Sequence, residues 1–559
     1  MLIGIDVGGT FTDGVLFEDG SIVATVKKPT DEKNLKNSLL AVLDELLKNQ
    51  PPKIERIVLS TTLVTNMLAT GQGERTALIL LPGHGLPAES YDICPDTYFL
   101  KGSVDFRGNV IEKTDKIEIQ TVIDKIKALG IKKVAVAGKF SNRNHSLEKE
   151  IKEALQEKCP DILISTSSEI SSKLNFPRRA ATTYFTAMTT EEWNRFADEI
   201  GEAVKARKPD TEVHILKADG GTIPLELSRN RPCETVFSGP AASTMGGLAL
   251  TNDEMNSVVV DIGGTTSDIS LLIGGEPLYA SKGARLGGKY THINAFAVRS
   301  VALGGDSPLS LDGGKAGYSL VRLGPAACFG GEAATVTDAF NLGLNLGIGE
   351  AEKSHAKIEA LAARAGIGGK DLSNQVIALV IDRLRENIES MFKEWENEPA
   401  YKVWEVVNKR KFQLHRIIGI GAAARPIIPL LAEQMQVDGF VHEYSGVANA
   451  LGASVVRPTV AVDLHVDTPG KFYNIDPGGI KGSLNNAHSF QLEDAKNLAR
   501  RYLEEISRQR GMEAYTEESD FYMEEQFNII RGWDRVGKMF DVGLQISPGF
   551  ISEFQGVSK

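Results

Sequence analysis

Two segments of this chain share one alternation of apolar runs and glycine-rich polar turns. The first passes from apolar residues 2–5 through Asp6-Val7-Gly8-Gly9-Thr10-Phe11-Thr12-Asp13 into 15–17. The second passes from 258–260 through Asp261-Ile262-Gly263-Gly264-Thr265-Thr266-Ser267-Asp268 into 269–273. A short apolar run, a tight turn and a second apolar run predict a β-hairpin in each place. Residues 1–28 as a whole read as two or three short strands. Apolar positions Leu35, Leu39, Leu40, Leu43, Leu46 and Leu47 recur at helical spacing, and Pro51-Pro52 closes that helix.

Beyond it the pattern alternates. Residues 54–59, 76–81 and 133–137 read as buried strands, and 119–129 and 148–158 as helices. Such alternation predicts an α/β architecture. A long helix is expected over 180–207, a strand over 214–218 and a small-residue helix over 242–250. Glycine is dense over 281–337, which predicts loops and short strands. Residues 351–396 read as two helices broken near 366–369, and 415–420 as a buried strand feeding a helix that ends at Met435. A further small-residue helix starts in 445–455. From 460 the character shifts to a Gly/Pro-rich stretch (469–482), a charged helix (492–509) and a mixed, aromatic-containing tail. The charged face of that helix is expected to be solvated.

The repeated octapeptide carries the chemistry. Glycines let backbone N–H groups approach an anion and adopt conformations a Cβ would forbid. Thr and Ser hydroxyls add donors, and an Asp at a strand end can hold a hydrated divalent cation. Asp and Gly are also ordinary turn formers, so one copy alone is compatible with a plain turn. Two copies in matching strand contexts are hard to obtain by accident. Facing one another, they would clamp a polyphosphate and its metal from both sides.

A third glycine-rich segment, Ile417-Ile418-Gly419-Ile420-Gly421-Ala422-Ala423-Ala424, follows a strand and precedes a helix. It fits the loose G-x-G-x-x-A pattern, with Glu443 at about the right distance, so a dinucleotide site is an alternative. That motif normally opens the first βα unit of its domain, and this one sits late. The favoured reading has Gly419, Gly421 and Ala422 lining an adenosine. The chain contains no G-x-x-x-x-G-K-[ST] segment.

Composition narrows the partners. The 559 residues suffice for two to four domains. A hydrophobic fraction of 42% and a charged fraction of 24% suit a globular protein. The net charge of -11 argues against nucleic acid or an anionic membrane as partner. Cys94, Cys159, Cys233 and Cys328 form no C-x-x-C pair, which predicts free thiols rather than a zinc or redox site. No secretory pattern precedes the first strand and no apolar stretch reaches membrane-spanning length, so a cytoplasmic location is expected.

The order of phosphate loop, second phosphate loop and adenosine loop resembles the actin and sugar-kinase superfamily. More narrowly, the chain resembles the hydantoinase A / 5-oxoprolinase family over residues 1 to about 458. The pieces that carry this are IGIDVGGTFTD at 3–13, Thr61-Thr62 with Thr65-Asn66, RTALI at 75–79, SGPAA at 238–242, the second octapeptide, TVTDA at 335–339 and GVANALGA at 446–453. The resemblance implies two RNase-H-like lobes with a nucleotide cleft between them. It divides the chain into an N-terminal lobe (1–175), a second lobe (176–458) and a C-terminal appendage (459–559). It also implies ATP-dependent chemistry at an amide or carbonyl carbon, the substrate being a cyclic amide such as a hydantoin or 5-oxoproline. Phosphorylation of the amide or enol oxygen is the shared logic. A hydantoinase B-like or carboxylase-type second subunit commonly supplies the other half. The family's His-Gly before Thr-Thr is here Leu59-Ser60, its glycine run is interrupted as Gly304-Gly305-Asp306-Ser307, and its Asp-Pro-Gly-Pro-Ala-Cys is replaced by Leu323-Gly324-Pro325-Ala326-Ala327-Cys328. These departures bear on the substrate more than on ATP.

Roles follow residue by residue. Asp6 and Asp261 are expected to position Mg²⁺, mostly through water. Gly8, Gly9, Thr10, Gly263, Gly264, Thr265 and Thr266 are expected to donate to the β- and γ-phosphates, with Thr10 counted beside the two aspartates as catalytic. Asp13 and Asp268 either orient water or, preferably, brace the hairpins. Thr61, Thr62, Thr65 and Asn66 form either a helix N-terminus facing the substrate or an ordinary cap. His84, His145, His292 and His442 lack metal-ligand spacing and are expected to be structural. Cys328 is expected to be a buried, inert thiol. Three readings stand at this point: an ATP-dependent cyclic amidase or carboxylase-type subunit, a small-molecule kinase, and an ATP-gated partner protein.

Overall fold

Both hairpins form, and each founds a sheet in this computed structural model, which describes every residue except 32–33, 50, 52, 71–72, 313, 398–411, 478, 532–533 and 558–559. In the first sheet Leu2–Val7 runs antiparallel to Phe11–Glu18, which in turn pairs antiparallel with Ser21–Pro29. On its other side Leu2–Val7 runs parallel to Arg56–Thr61, and that strand parallel to Glu212–Leu216. The second sheet repeats this order. Ser257–Ile262 lies between antiparallel Ser267–Ile273 and parallel Arg416–Ile420; Val298–Val301 and Asp438–Phe440 extend the two sides. Three antiparallel strands followed by two parallel ones is the RNase-H-like order, so the fold is α/β with two such lobes. The central strand Leu2–Val7 is buried along nearly its whole length. Cover on both faces explains why its sequence reads as a continuous apolar run.

Some strands leave the lobe their neighbours suggest. Thr76–Leu81 and Lys133–Gly138 form a separate parallel sheet with Leu163–Thr166 and Thr97–Phe99. Helices Lys116–Ala128 and Ser146–Lys158 pack into the same apolar core. The chain returns to the first sheet only with Glu212–Leu216 and Thr222–Pro224, after the helix Phe176–Arg207. Apolar periodicity identifies a strand but not the strand beside it.

The C-terminal segment differs from the expected loop and tail. Phe472–Asp476 and Ile480–Ser483 are strands, and Ser519–Arg531 and Asp534–Ile546 form a long hairpin. With Ala461–Asp467 they make a five-stranded sheet. Helix Leu492–Gln509 buries Ala495, Ala499, Leu503 and Ile506 in the core it shares with that sheet. Much of Ser519–Arg531 is exposed, and Gly537 and Gly543 interrupt its partner. Neither strand therefore shows a clean two-residue alternation. Among the described residues no helix is long and apolar enough to cross a membrane. All four cysteines are free and buried.

The lobes meet on two small-residue helices, Ser238–Thr251 and Ala448–Val455. The second of these lies on the first lobe's central strand: a Cβ built on Gly4 would overlap Ala450 O, and Arg56 Nη2 donates to Ser454 O at 2.9 Å. Apolar residues of both lobes, among them Val15, Phe17, Val259 and Ile418, close the seam beneath.

His292 packs beside Ser171, and its burial has a measurable consequence. Its Nδ1 lies 2.9 Å from Ser171 Oγ. Burial, reinforced by Lys173, Arg179 and Arg178, pushes its pKa from 6.5 down to about 3. Between those values the unfolded chain takes up a proton that the folded protein does not. Stability contributed by neutral His292 is present above pH 6.5 and is lost as pH falls toward about 3. The slope is about 1.4 kcal/mol per pH unit. Urea unfolding of His292→Asn should show that slope flattened below pH 6.5, whereas an unchanged slope would assign it to another group.

Candidate active site

The two octapeptides adopt the same local geometry. Asp6 stands opposite Asp13, and Asp261 opposite Asp268, across their strand pairs. Each turn is closed by its first glycine: Gly8 N donates to Phe11 O at 3.1 Å and Gly263 N to Thr266 O at 3.0 Å. Those two amides are therefore committed to the turns. The amides of Gly9, Thr10, Gly264 and Thr265 carry no backbone hydrogen bond among the described residues. One expectation is corrected here. None of Gly8, Gly9, Gly263 and Gly264 has positive φ, so forbidden conformations are not their reason. Lacking side chains, they leave the turn amides uncovered.

One side chain joins the two leading aspartates. Asn449 Nδ2 donates to Asp6 Oδ2 at 3.2 Å and to Asp261 Oδ2 at 3.0 Å, one hydrogen for each carboxylate. Ser243 Oγ also donates to Asp261 Oδ2. Among the described residues the buried Asp6 Oδ1 accepts no hydrogen bond. Burial first, then the nearby Asp13 and Asp261, pushes Asp6 up to about 7, against the lowering effect of the polar neighbours Ser60 and Asn449. Burial and Asp261 do the same to Asp268, which also reaches about 7. Asp13 is braced by Lys27, whose Nζ donates to its two oxygens at 2.6 and 2.8 Å.

This oxygen-donor set fits Mg²⁺. Asp6 Oδ1 is an orphaned acceptor, and a divalent cation would drive off the proton that burial favours. Among the described residues no group of three or more His, Cys, Asp and Glu side chains forms a metal cage. A cation held by two carboxylates keeps most of its waters, as Mg²⁺ does.

Both turns open onto one cavity of about 440 Å³ lying between the lobes. Of the expected residues it is lined by Asp6, Gly8, Gly9, Thr10, Asp261, Gly263, Gly264, Thr265, Thr266, Gly421, Ala422 and Thr62. Gly421 has φ of 86°, and a Cβ there would stand 2.6 Å from Asp261 Oδ1, so only glycine lets the third loop pass under that aspartate. Gly419 does not line the cavity; its missing side chain makes room for Ile428 of helix Ala424–Met435. Thr61, Thr65 and Asn66 also stand off it. Thr61 ends the strand Arg56–Thr61, its hydroxyl accepting from Leu63 N, at the start of helix Leu63–Thr70, at 3.2 Å. Thr65 Oγ1 accepts from Phe237 N at 3.0 Å, and Asn66 Nδ2 donates to Thr62 Oγ1 at 3.3 Å.

The cavity's apolar end was not foreseen. Pro325, Phe329, Phe340, Ile348, Pro426 and Ile427 line it beside Ala422. A flat, apolar base fits such walls. The fully buried Asp338 builds them: it accepts from Ala327 N, Cys328 N, Thr335 N and Ser354 Oγ, tying the loop 326–328 to helix Val336–Gly343. Asn449 and Ser243 were also missed as functional residues. The only signal for them was their place in or beside GVANALGA and SGPAA.

Comparison with known proteins bears on the family and the fold. The caprolactamase subunit alpha of Pseudomonas jessenii is 25% identical over 487 residues, covering 78% of this chain and 67% of that one. The 5-oxoprolinase of Saccharomyces cerevisiae is 25% identical over 538 residues, covering 80% of this chain and 40% of that one. In fold, the nucleotide-free structure of acetone carboxylase superposes with a TM-score of 0.71 at 18% identity, over 98% of this chain and 87% of that one. A family model described as hydantoinase/oxoprolinase matches residues 179–461, and that of the hydantoinase/oxoprolinase N-terminal region matches 2–159. On these matches the chain belongs to the hydantoinase/oxoprolinase family.

Proposed function

We propose that this protein is the ATP-using subunit of a cyclic-amide hydrolase. The observation that carries the reading is the pair of matched glycine-rich turns facing one cavity, with Asp6 and Asp261 joined by Asn449. The related caprolactamase subunit and 5-oxoprolinase point to lactams as the substrate class. In this reading the base occupies the apolar end between Phe329 and Ile427. The amides of Gly9, Thr10, Gly264 and Thr265 hold the phosphates. Asp6 and Asp261 hold Mg²⁺, which supplies charge neutralisation in phosphoryl transfer when bound.

The amide oxygen attacks the γ-phosphorus, the bond to the β-phosphate oxygen breaks, and ADP leaves. Phosphorylated, the amide carbon becomes a better electrophile. Water adds there, the ring C–N bond breaks, and a second water releases phosphate. A second subunit carries this hydrolytic half. The related caprolactamase chain is itself a subunit alpha, which supports that division.

The test is ATP hydrolysis with Mg²⁺ across hydantoins, 5-oxoproline, caprolactam and small ketones, with ring-opened product followed in parallel. Stimulation by one cyclic amide supports the reading. Stimulation by a ketone with bicarbonate would make it a carboxylase-type subunit. A stable phosphorylated alcohol as product would make it a kinase.

A further inference from the structure

The cavity has a charge problem that Arg322 is placed to solve. Among the described residues five carboxyl groups line it, Asp6, Asp13, Asp261, Asp268 and Asp306, against two cations, Lys27 and Arg322. Polyphosphate entering such a space needs a cation with donors to spare. Lys27 has none: Asp13 takes two hydrogen bonds and Gly446 O a third at 2.9 Å, which is all an ammonium group offers. Among the described residues Arg322 is engaged through Nε and Nη2 alone, both on Asp306 Oδ2, at 3.1 and 2.8 Å. Three of the five N–H donors of a guanidinium therefore remain.

The position is as telling as the valence. Asp306 Oδ2 stands 2.8 Å, and Thr10 Oγ1 3.1 Å, from the point where a Cβ on Gly264 would lie. Asp306 N donates to Gly264 O at 2.7 Å. The carboxylate that tethers Arg322 is thus at the meeting point of the two turn tips, at the phosphate end of the cavity and not at its apolar end. Asp306 also accepts from Ala326 N at 3.1 Å, which anchors the loop that brings Arg322 across. Asp306 interrupts the family's glycine run, and Arg322 directly precedes the replaced Leu323–Cys328 segment.

We propose that Arg322 binds the terminal phosphate of the nucleotide, with Asp306 holding its guanidinium ready. This rests on the reading of the cavity as an ATP site. The test is calorimetric titration of the full chain with Mg·ATP and with Mg·ADP. Arg322→Ala should weaken ATP by about ten- to a hundredfold while ADP shifts by less than about threefold, as expected for loss of a charge-assisted hydrogen bond to the terminal group alone. Arg322→Lys, which keeps the charge without the fork, should recover part of the loss. Asp306→Asn combined with Arg322→Ala should bind ATP no better than Arg322→Ala. Recovery of ATP binding in that double variant would overturn the proposal and reduce Arg322 to a neutraliser of Asp306. Unchanged ATP affinity in Arg322→Ala, or equal weakening of ATP and ADP, would overturn it as well. Failure of the wild-type protein to bind either nucleotide would overturn the ATP reading together with this one.

Discussion

Replacing Asp261 by Asn is expected to cut Mg²⁺-dependent ATP turnover by about a hundred- to a thousandfold, the range for removing one preorganised electrostatic group. The change is nearly isosteric, so an amide oxygen can still accept from Ser243 and Asn449. What disappears is the charge that would hold the cation against the phosphates. Asp6→Asn should cut turnover too, but without a loss of stability. Burial holds Asp6 up at about 7, so its ionised form is disfavoured in the folded protein at higher pH. The neutral variant should melt at or above the wild-type temperature at pH 8, because the site trades stability for function. Thermal melts run beside the turnover assay check both halves. Turnover within about tenfold of wild type in Asp261→Asn would mean that phosphoryl transfer happens elsewhere.

Gly4→Ala should be the most destabilising single methyl group in the chain's first strand. The added Cβ would overlap Ala450 O and lie 2.8 Å from Ser454 Cβ and Ser454 N. Backbone on the far side cannot rotate away as a side chain can. The helix Ala448–Val455 would have to lift from Leu2–Val7, taking Asn449 off the two aspartates. A loss of about 3 kcal/mol, the upper end for overpacking, is expected by urea unfolding. Gly9→Ala is the control: nothing lies within 4 Å of its Cβ position, so stability should change by less than about 1 kcal/mol. Equal stability of Gly4→Ala and wild type would show that the helix does not sit on that strand.

Much of the site was readable from local pattern. The turns at 6–13 and 261–268 and the strand–loop–helix at 417–424 are contiguous. Each lies between apolar runs whose period betrays strand or helix. Their convergence on one cavity follows from the repeated sheet order, which the matched octapeptides foreshadowed. Gly419 shows the limit of that reasoning. It lies in the same motif as Gly421 but two residues earlier in a strand, where it packs against Ile428 and not toward the cavity. The cavity's apolar walls come from residues 325–348, where the buried Asp338 ties the loop to the helix, and from 426–427, and no single stretch displays them.

The sequence by itself determined the two hairpins, the α/β alternation, the aspartates at the strand ends and the family. Each of these depends on neighbours within one turn or one strand, where side-chain period and glycine placement act directly. Only the tertiary structure decided that Thr76–Leu81 and Lys133–Gly138 build their own sheet, that the C-terminal segment is a five-stranded sheet, that Asn449 bridges Asp6 and Asp261, and that Arg322 reaches Asp306. These rest on contacts between residues from 16 to more than 400 positions apart. Such contacts form through close packing and hydrogen-bond geometry, and nothing in the local alternation of apolar and polar residues encodes them.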